Sequence, residues 1–201
     1  MKISTLCFAF AALLLGTCSA DSRTRPRSGL IRPGEGIPGV QLGSHFSSFE
    51  AVFPKHPGLD EDLPDTLCGA GRVYHWLDIE KHANGVYAFL KNDEIYQLSV
   101  QTPRFALPNG LTIDASEKKV KAAYPNGRGH VLLGSGAAYV GGRDLVYWVD
   151  KKKGIAFELY WDGEKKQRLV RAIDIFRKGG LYFPQGCVTP PQEWRELGLL
   201  F

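Results

Sequence analysis

Past its first twenty residues, the 201-residue chain has no apolar run long enough to cross a bilayer, which excludes a polytopic membrane protein. It also lacks a strong charge of either sign. Its 25 basic and 21 acidic residues give a formal +4, too little for a general polyanion binder. At 44% hydrophobic and 23% charged, it is too apolar for a disordered chain. Chemistry-bearing patterns are missing too. His45, His56, His75, His82 and His130 stand in no zinc-ligand spacing. Asp60-Glu61-Asp62 lacks the patterned oxygens of a calcium loop. Gly127-Arg128-Gly129 and Gly134-Ser135-Gly136 come with no P-loop lysine, and there is no nucleophile elbow. A Ser/His/Asp site assembled only in space leaves no such trace. The expectation is a protein with no catalytic residues, no metal and no cofactor, and no nucleic-acid partner.

What is present begins with an address. Met1-Lys2 is a short basic start, Ile3 to Leu15 is mostly apolar, and Cys18-Ser19-Ala20 is a small-residue cleavage pattern. Residues 1–20 therefore read as a secretory signal, and the chain is expected to be exported, periplasmic or secreted. Cleavage after Ala20 removes Cys7 and Cys18 and leaves Cys68 and Cys187. Two thiols in an exported chain favour one disulfide, worth about 4–5 kcal/mol for so long a loop, with two buried thiols as the alternative. Leu15-Gly16-Thr17-Cys18 also resembles the bacterial lipobox, which implies an outer-membrane lipoprotein anchored through lipidated Cys18. Residues 21–38 carry Arg23, Arg25, Arg27, Arg32, Pro26, Pro33 and Pro38 and read as a flexible linker.

The body of the chain carries an internal repeat. Residues 39–54 (GVQLGSHFSSFEAVFP) align without a gap on residues 110–125 (GLTIDASEKKVKAAYP). In each, a short alternating run, Val40/Leu42 or Leu111/Ile113, predicts a strand. A serine then offers a helix N-cap, Ser44 or Ser47 in the first copy and Ser116 in the second. Phe49, Val52 and Phe53, and likewise Val120, Ala123 and Tyr124, follow at helical spacing, and Pro54 and Pro125 mark the helix ends. Farther on, Gly85-Val86 matches Gly154-Ile155, and residues 95–100 match 170–175. The predicted fold is α+β: two tandem copies, 39–105 and 106–178, of a short helix plus an antiparallel sheet, helices on one face. A tail, 179–201, holds a short helix near Pro190, with Trp194 and Leu197 to dock it.

Strand alternation assigns faces. Val86, Ala88 and Leu90, with Ile155, Phe157, Leu159 and Trp161, are expected beneath the helices, as are Leu98, Val100, Ile173 and Ile175. Val73, Leu77, Ile79, Leu145, Tyr147 and Val149 are placed with them. The opposite face then holds Tyr74, Trp76, Asp78, Tyr87 and Phe89, and Val146, Trp148, Asp150, Glu158, Tyr160 and Asp174. Its aromatics suit a partner-binding surface, or else packing inside the chain. Lys151-Lys152-Lys153, Lys165-Lys166 and Arg168 fall at predicted hairpin tips, solvated or in contact with an acidic protein or lipid surface.

The run Pro33-Gly34-Glu35-Gly36-Ile37 with Gly39-Val40-Gln41-Leu42-Gly43, the short helix and the later Asn84-Gly85-Val86 strand resemble exported bacterial repeat proteins: the beta-lactamase-inhibitory-protein-like superfamily and the SmpA/OmlA-type assembly lipoproteins. Two departures stand out. The inhibitor type has a disulfide within each repeat, whereas Cys68 and Cys187 here do not share one, and the assembly lipoproteins have essentially one copy. The resemblance implies a non-catalytic module whose open sheet face grips a protein partner in the envelope or outside the cell. The contacts would come from Tyr74, Trp76, Tyr87, Phe89, Trp148, Asp150, Glu158 and Tyr160. The alternative is a lipid-anchored structural or assembly factor of the bacterial cell envelope.

Overall fold

The computed structural model describes residues 28–57, 61–64, 71–131 and 145–184. The expected signal segment, Cys7, Cys18, Cys68, Cys187, the first part of the linker and the tail helix with Trp194 and Leu197 lie outside the described residues.

The described chain runs through β1 (Gly29–Leu30), β2 (Gly36–Ile37), β3 (Val40–Gln41), α1 (Ser47–Val52), β4 (Glu61–Pro64), β5 (Arg72–Asp78), β6 (Ala83–Lys91), β7 (Glu94–Gln101) and β8 (Phe105–Ala106). Then come α2 (Glu117–Ala123), β9 (Arg128–Val131), β10 (Val146–Asp150), β11 (Ile155–Asp162) and β12 (Gln167–Phe176). Among the described residues eight strands form one sheet, in the order β4-β5-β6-β7-β12-β11-β10-β9. Every neighbouring pair in it is antiparallel. The fold is mostly β with two short helices and two small two-stranded sheets, β1-β8 and β2-β3, rather than a balanced α+β mixture.

Local chemistry explains the connections. The turn from β6 to β7 is Asn92-Asp93, both at positive φ (52° and 58°), as a two-residue turn matched to strand twist requires. The β11–β12 turn is organised by Asp162, whose Oδ1 accepts from the Glu164 and Lys165 amides. Gly85 sits at φ +79° where β6 crosses a bulge in β5. A Cβ there would lie 1.8 Å from the Trp76 carbonyl oxygen, so only glycine fits.

The helices form as the spacing predicts. Phe49 and Val52 on α1 and Val120 on α2 are buried, and the helices stop before Pro54 and Pro125. Ser116 caps α2, its side chain accepting from the Lys119 amide at 3.4 Å. Neither predicted serine caps α1: its N-cap is Phe46, whose backbone is already helical. Ser116→Ala is expected to cost about 0.5–1 kcal/mol, read as a shift in the urea unfolding midpoint with unchanged slope.

Three further expectations are corrected. The linker reading of 21–38 fails from residue 28 onward: β1 pairs in parallel with β8, and Ile31 and Ile37 are 0% and 4% exposed. No strand forms at Leu111/Ile113, because Gly110 at φ +80° turns the chain and the Leu107 amide closes onto the Leu111 carbonyl. The third correction concerns β5 and β10. Tyr74 pairs with Ala88 and Trp76 with Val86, while Val146 pairs with Leu159 and Trp148 with Phe157. Directly paired residues share a face, so Tyr74, Trp76, Val146 and Trp148 lie beneath the helices. Tyr147 and Val149 lie on the other side, where they cluster with Leu145. Each strand's alternation is as expected, but its register across the hairpin differs by one residue, which exchanges its two faces.

Beneath the helices sits one continuous core. Phe53 meets Trp76 at 4.9 Å between ring centroids, Phe49 meets Tyr74 at 5.7 Å, and Tyr124 meets Phe157 at 5.0 Å. Val86, Ala88, Leu90, Leu98, Val100, Ile155, Phe157, Leu159, Ile173 and Ile175 complete it as predicted. Trp161 is half-buried, beyond a bulge that shifts register between Glu158 and Leu159. At the end of β5, Asp78 is wholly buried and held by Arg104 through Nε–Oδ2 at 2.6 Å and Nη2–Oδ1 at 2.7 Å. The Thr102 hydroxyl also donates to Asp78, and Arg104 reaches Glu80 at 2.7 Å.

Candidate partner-binding face

The sheet side away from the helices gathers residues from β5 to β12. On one half, β5 and β6 bring His75, Tyr87 and Phe89 into a row. The His75 and Tyr87 rings stack at 3.9 Å and 5°, and Tyr87 and Phe89 follow at 6.4 Å and 16°. His75 is fixed by a hydrogen bond from its Nε2 to the Asn84 carbonyl. Tyr96 extends the row, 6.3 Å from Phe89.

The other half is acidic beneath and aromatic above. Asp174 lies opposite Ser99 on one side and Ala156 on the other, and Glu158 lies opposite Tyr147. Both carboxyls are buried, at 3% and 6% exposure. Burial pushes Glu158 up to about 7, against the attraction of Arg171, whose Nη1 is 3.0 Å from its Oε1. Burial likewise pushes Asp174 up to about 6, against hydrogen bonds from Ser99 and Tyr182. The chain after β12 closes over this half. Tyr182 Oη donates to Asp174 Oδ2 at 2.6 Å, and its ring stands 5.2 Å from Phe176 and 6.4 Å from Tyr147. The neighbouring Phe183 backbone exchanges two bonds with the Gln97 amide, at 2.9 and 3.3 Å. Both carboxyls titrate near neutrality, so their charge changes across ordinary pH.

The eight residues proposed from sequence divide evenly. Tyr87, Phe89, Glu158 and Tyr160 share this face, as does Asp174, and Tyr87 and Tyr160 are half-buried. Tyr74 and Trp76, at 2% and 1% exposure, and Trp148 are packed on the helix side. The Trp148 indole donates to the Tyr124 carbonyl at 2.9 Å. Asp150 caps the turn after β10, accepting from the Lys153 amide at 3.1 Å. Asp78 belongs to the Arg104 cluster. Sequence reading missed His75, Tyr147, Tyr182, Arg171, Ser99 and Gln97. The alternation of Gln97 and Ser99 with Leu98 and Val100 was the available signal: polar residues on a strand whose other side is apolar. Among the described residues no group of three His, Cys, Asp or Glu side chains could hold a metal ion, and no helix is long and apolar enough to cross a membrane.

No protein-family model matches the chain, and no curated protein matches it. Among the solved structures similar in part are two. One is the uncharacterized protein YfeY from Escherichia coli, at 11% identity and a TM-score of 0.45, covering 75% of this chain and 99% of that one. The other is a cysteine-rich secretory protein from Staphylococcus aureus, at 15% identity and a TM-score of 0.38, covering 74% of this chain and 47% of that one. The chain thus spans about half the length of the staphylococcal structure.

Proposed function

We propose that the chain is an exported, non-catalytic binding protein whose partner is another protein, docked on the sheet face away from the helices. The observation that carries this reading is the row of rings His75, Tyr87 and Phe89, stacked across two strands and pinned at one end. His75 and Phe89 are 7% and 5% exposed and hold the half-buried Tyr87 ring rigid, so Tyr87 is the accessible anchor, fixed in advance of binding. Arg171, part-exposed and held by buried Glu158, supplies polar selection. The buried carboxyls of Asp78, Glu158 and Asp174 are each engaged in structural pairs, which supports binding over catalysis. The export signal read at residues 1–20 supplies the location. We also infer that α1 with β4–β7 and α2 with β9–β12 are two copies of one unit. In support, both halves follow the same chain order outward from the β7–β12 seam.

A photo-crosslinking residue placed at Tyr87 tests the docking face, with the same residue at exposed Lys118 on α2 as the comparison. One discrete adduct in envelope extract at position 87, absent at 118 and competed by unlabelled protein, is the expected outcome. Equal labelling at both positions, or none at 87, refutes the face. The second reading, an envelope assembly factor tethered at Cys18, rests on the Leu15-Gly16-Thr17-Cys18 pattern. Mass spectrometry of the processed N-terminus decides it: diacylated Cys18 supports the anchor, and a free Asp21 terminus removes it.

A further inference from the structure

The segment read from sequence as linker builds a cleft instead. The β2–β3 hairpin, β1 and the Pro108 turn enclose about 520 Å³, within the size range of small-molecule sites, roughly 300–1,000 Å³. Leu30, Pro38 and Pro108 give it accessible apolar walls, with buried Ile37 and Val40 packed behind them. A second hollow of about 370 Å³ adjoins it and shares Arg32, Glu35 and Pro108. This one is cationic, adding Lys152, Lys153 and Lys178 to Arg32. Backbone packing fixes the juxtaposition. The Gly34 amide donates to the Gly154 carbonyl at 3.1 Å, so the turn after Arg32 is locked against the lysine turn after β10. Gly34 tolerates no side chain there, since a Cβ would lie 2.3 Å from Lys178 and 3.0 Å from the Lys153 carbonyl oxygen. Among the described residues lining the two hollows, Glu35 is the one carboxylate, and Lys178 neutralises it at 3.0 Å. Lys153 is steadied over the Tyr124 ring at 4.6 Å.

An apolar slot opening onto a net-positive hollow is complementary to a molecule with an apolar tail and an anionic head. We propose that this two-part cleft binds a single-chain anionic amphiphile, its chain along Leu30, Pro38 and Pro108 and its head between Arg32 and Lys152. None of the aromatic row lines the cleft, so the proposal stands apart from the partner-binding face.

Calorimetric titration of the full chain with dodecyl phosphate, below its micelle concentration, tests this directly. Saturable one-to-one binding is expected, at least tenfold tighter than for uncharged dodecyl maltoside and with no comparable binding of inorganic phosphate. The Arg32→Ala/Lys152→Ala variant is expected to weaken dodecyl phosphate at least tenfold, and Leu30→Ser several-fold. Lys119→Ala, on exposed α2, is expected to leave it unchanged. Arg32, Lys152 and Leu30 are exposed, so these variants retain the fold, checked by an unchanged near-UV dichroism spectrum. Absence of saturable binding, equal affinity for the maltoside, equal affinity for phosphate alone, or an unaffected double variant each overturns the proposal.

Discussion

Arg104→Ala is expected to lower the unfolding free energy by about 3–5 kcal/mol, the loss seen when one member of a buried ion pair is removed. Asp78 has no solvent exposure, and the Arg104 side chain has 8%. The pair is bidentate, and the guanidinium is held above its usual range chiefly by its hydrogen bonds to Asp78. Removing Arg104 strands a carboxylate whose remaining side-chain donor, among the described residues, is the Thr102 hydroxyl. For a body of this size the loss corresponds to roughly 10 °C in the thermal midpoint. The cost comes from the stranded charge more than from the lost attraction. Arg104→Leu combined with Asp78→Asn should therefore recover most of it. Urea unfolding of the single and double variants checks this. A single-variant loss below about 1 kcal/mol, or no recovery in the double, contradicts it.

The second large effect is a fall in stability as pH rises through neutrality. In the folded chain Glu158 is raised from 4.5 to about 7 and Asp174 from 3.8 to about 6, in both cases first by burial. Below about pH 3 both carboxyls are protonated in the folded and unfolded chain alike, and their full contribution is present. Between about pH 3 and 8 the unfolded chain gives up protons that the folded chain retains, so each step up in pH favours unfolding. Above about pH 8 the loss is complete. At roughly 1.4 kcal/mol per unit it amounts to something on the order of 6 kcal/mol for the pair. Glu158→Gln removes one titrating group while keeping the shape, and should flatten the decline by about half. Urea midpoints from pH 4 to pH 8 measure both slopes. Identical slopes in the wild type and Glu158→Gln would contradict this account.

The site was legible in the sequence only as far as alternation carries. Within any one strand the two faces were readable, because every second residue is apolar: Val86, Ala88 and Leu90 lie beneath the helix as expected. Helical spacing likewise placed Phe49, Val52 and Val120 inward. What alternation cannot supply is the relation between neighbouring strands. That depends on how many residues each turn consumes and where bulges fall. The β5 bulge next to Trp76 and the four-residue turn after Asp150 set those counts, and both strands entered with faces exchanged. The aromatics of α1 held a missed clue: Phe49 and Phe53 pack best on rings, and Tyr74 and Trp76 are the rings within reach. The linker was misread because proline, glycine and arginine mark exposed chain on average. Ile31 and Ile37, two isolated apolar residues, were enough to anchor it.

The seam at the middle of the sheet governs how the chain is put together. β5 through β7 and β10 through β12 are meanders whose partners are close in sequence, so each can form early. β7 meets β12 through only four residue pairs, Gln97↔Phe176 to Val100↔Ile173, and these are the longest-range strand pairs of the eight-stranded sheet. Closing that junction costs more chain entropy than pairing the strands within either meander. Each β7 edge carries the same pattern in every copy, so one molecule's β12 fits another's β7 as well as its own. Assembly in crowded solution thus sets intramolecular closure against exchange of halves between molecules, and dilution favours the monomer.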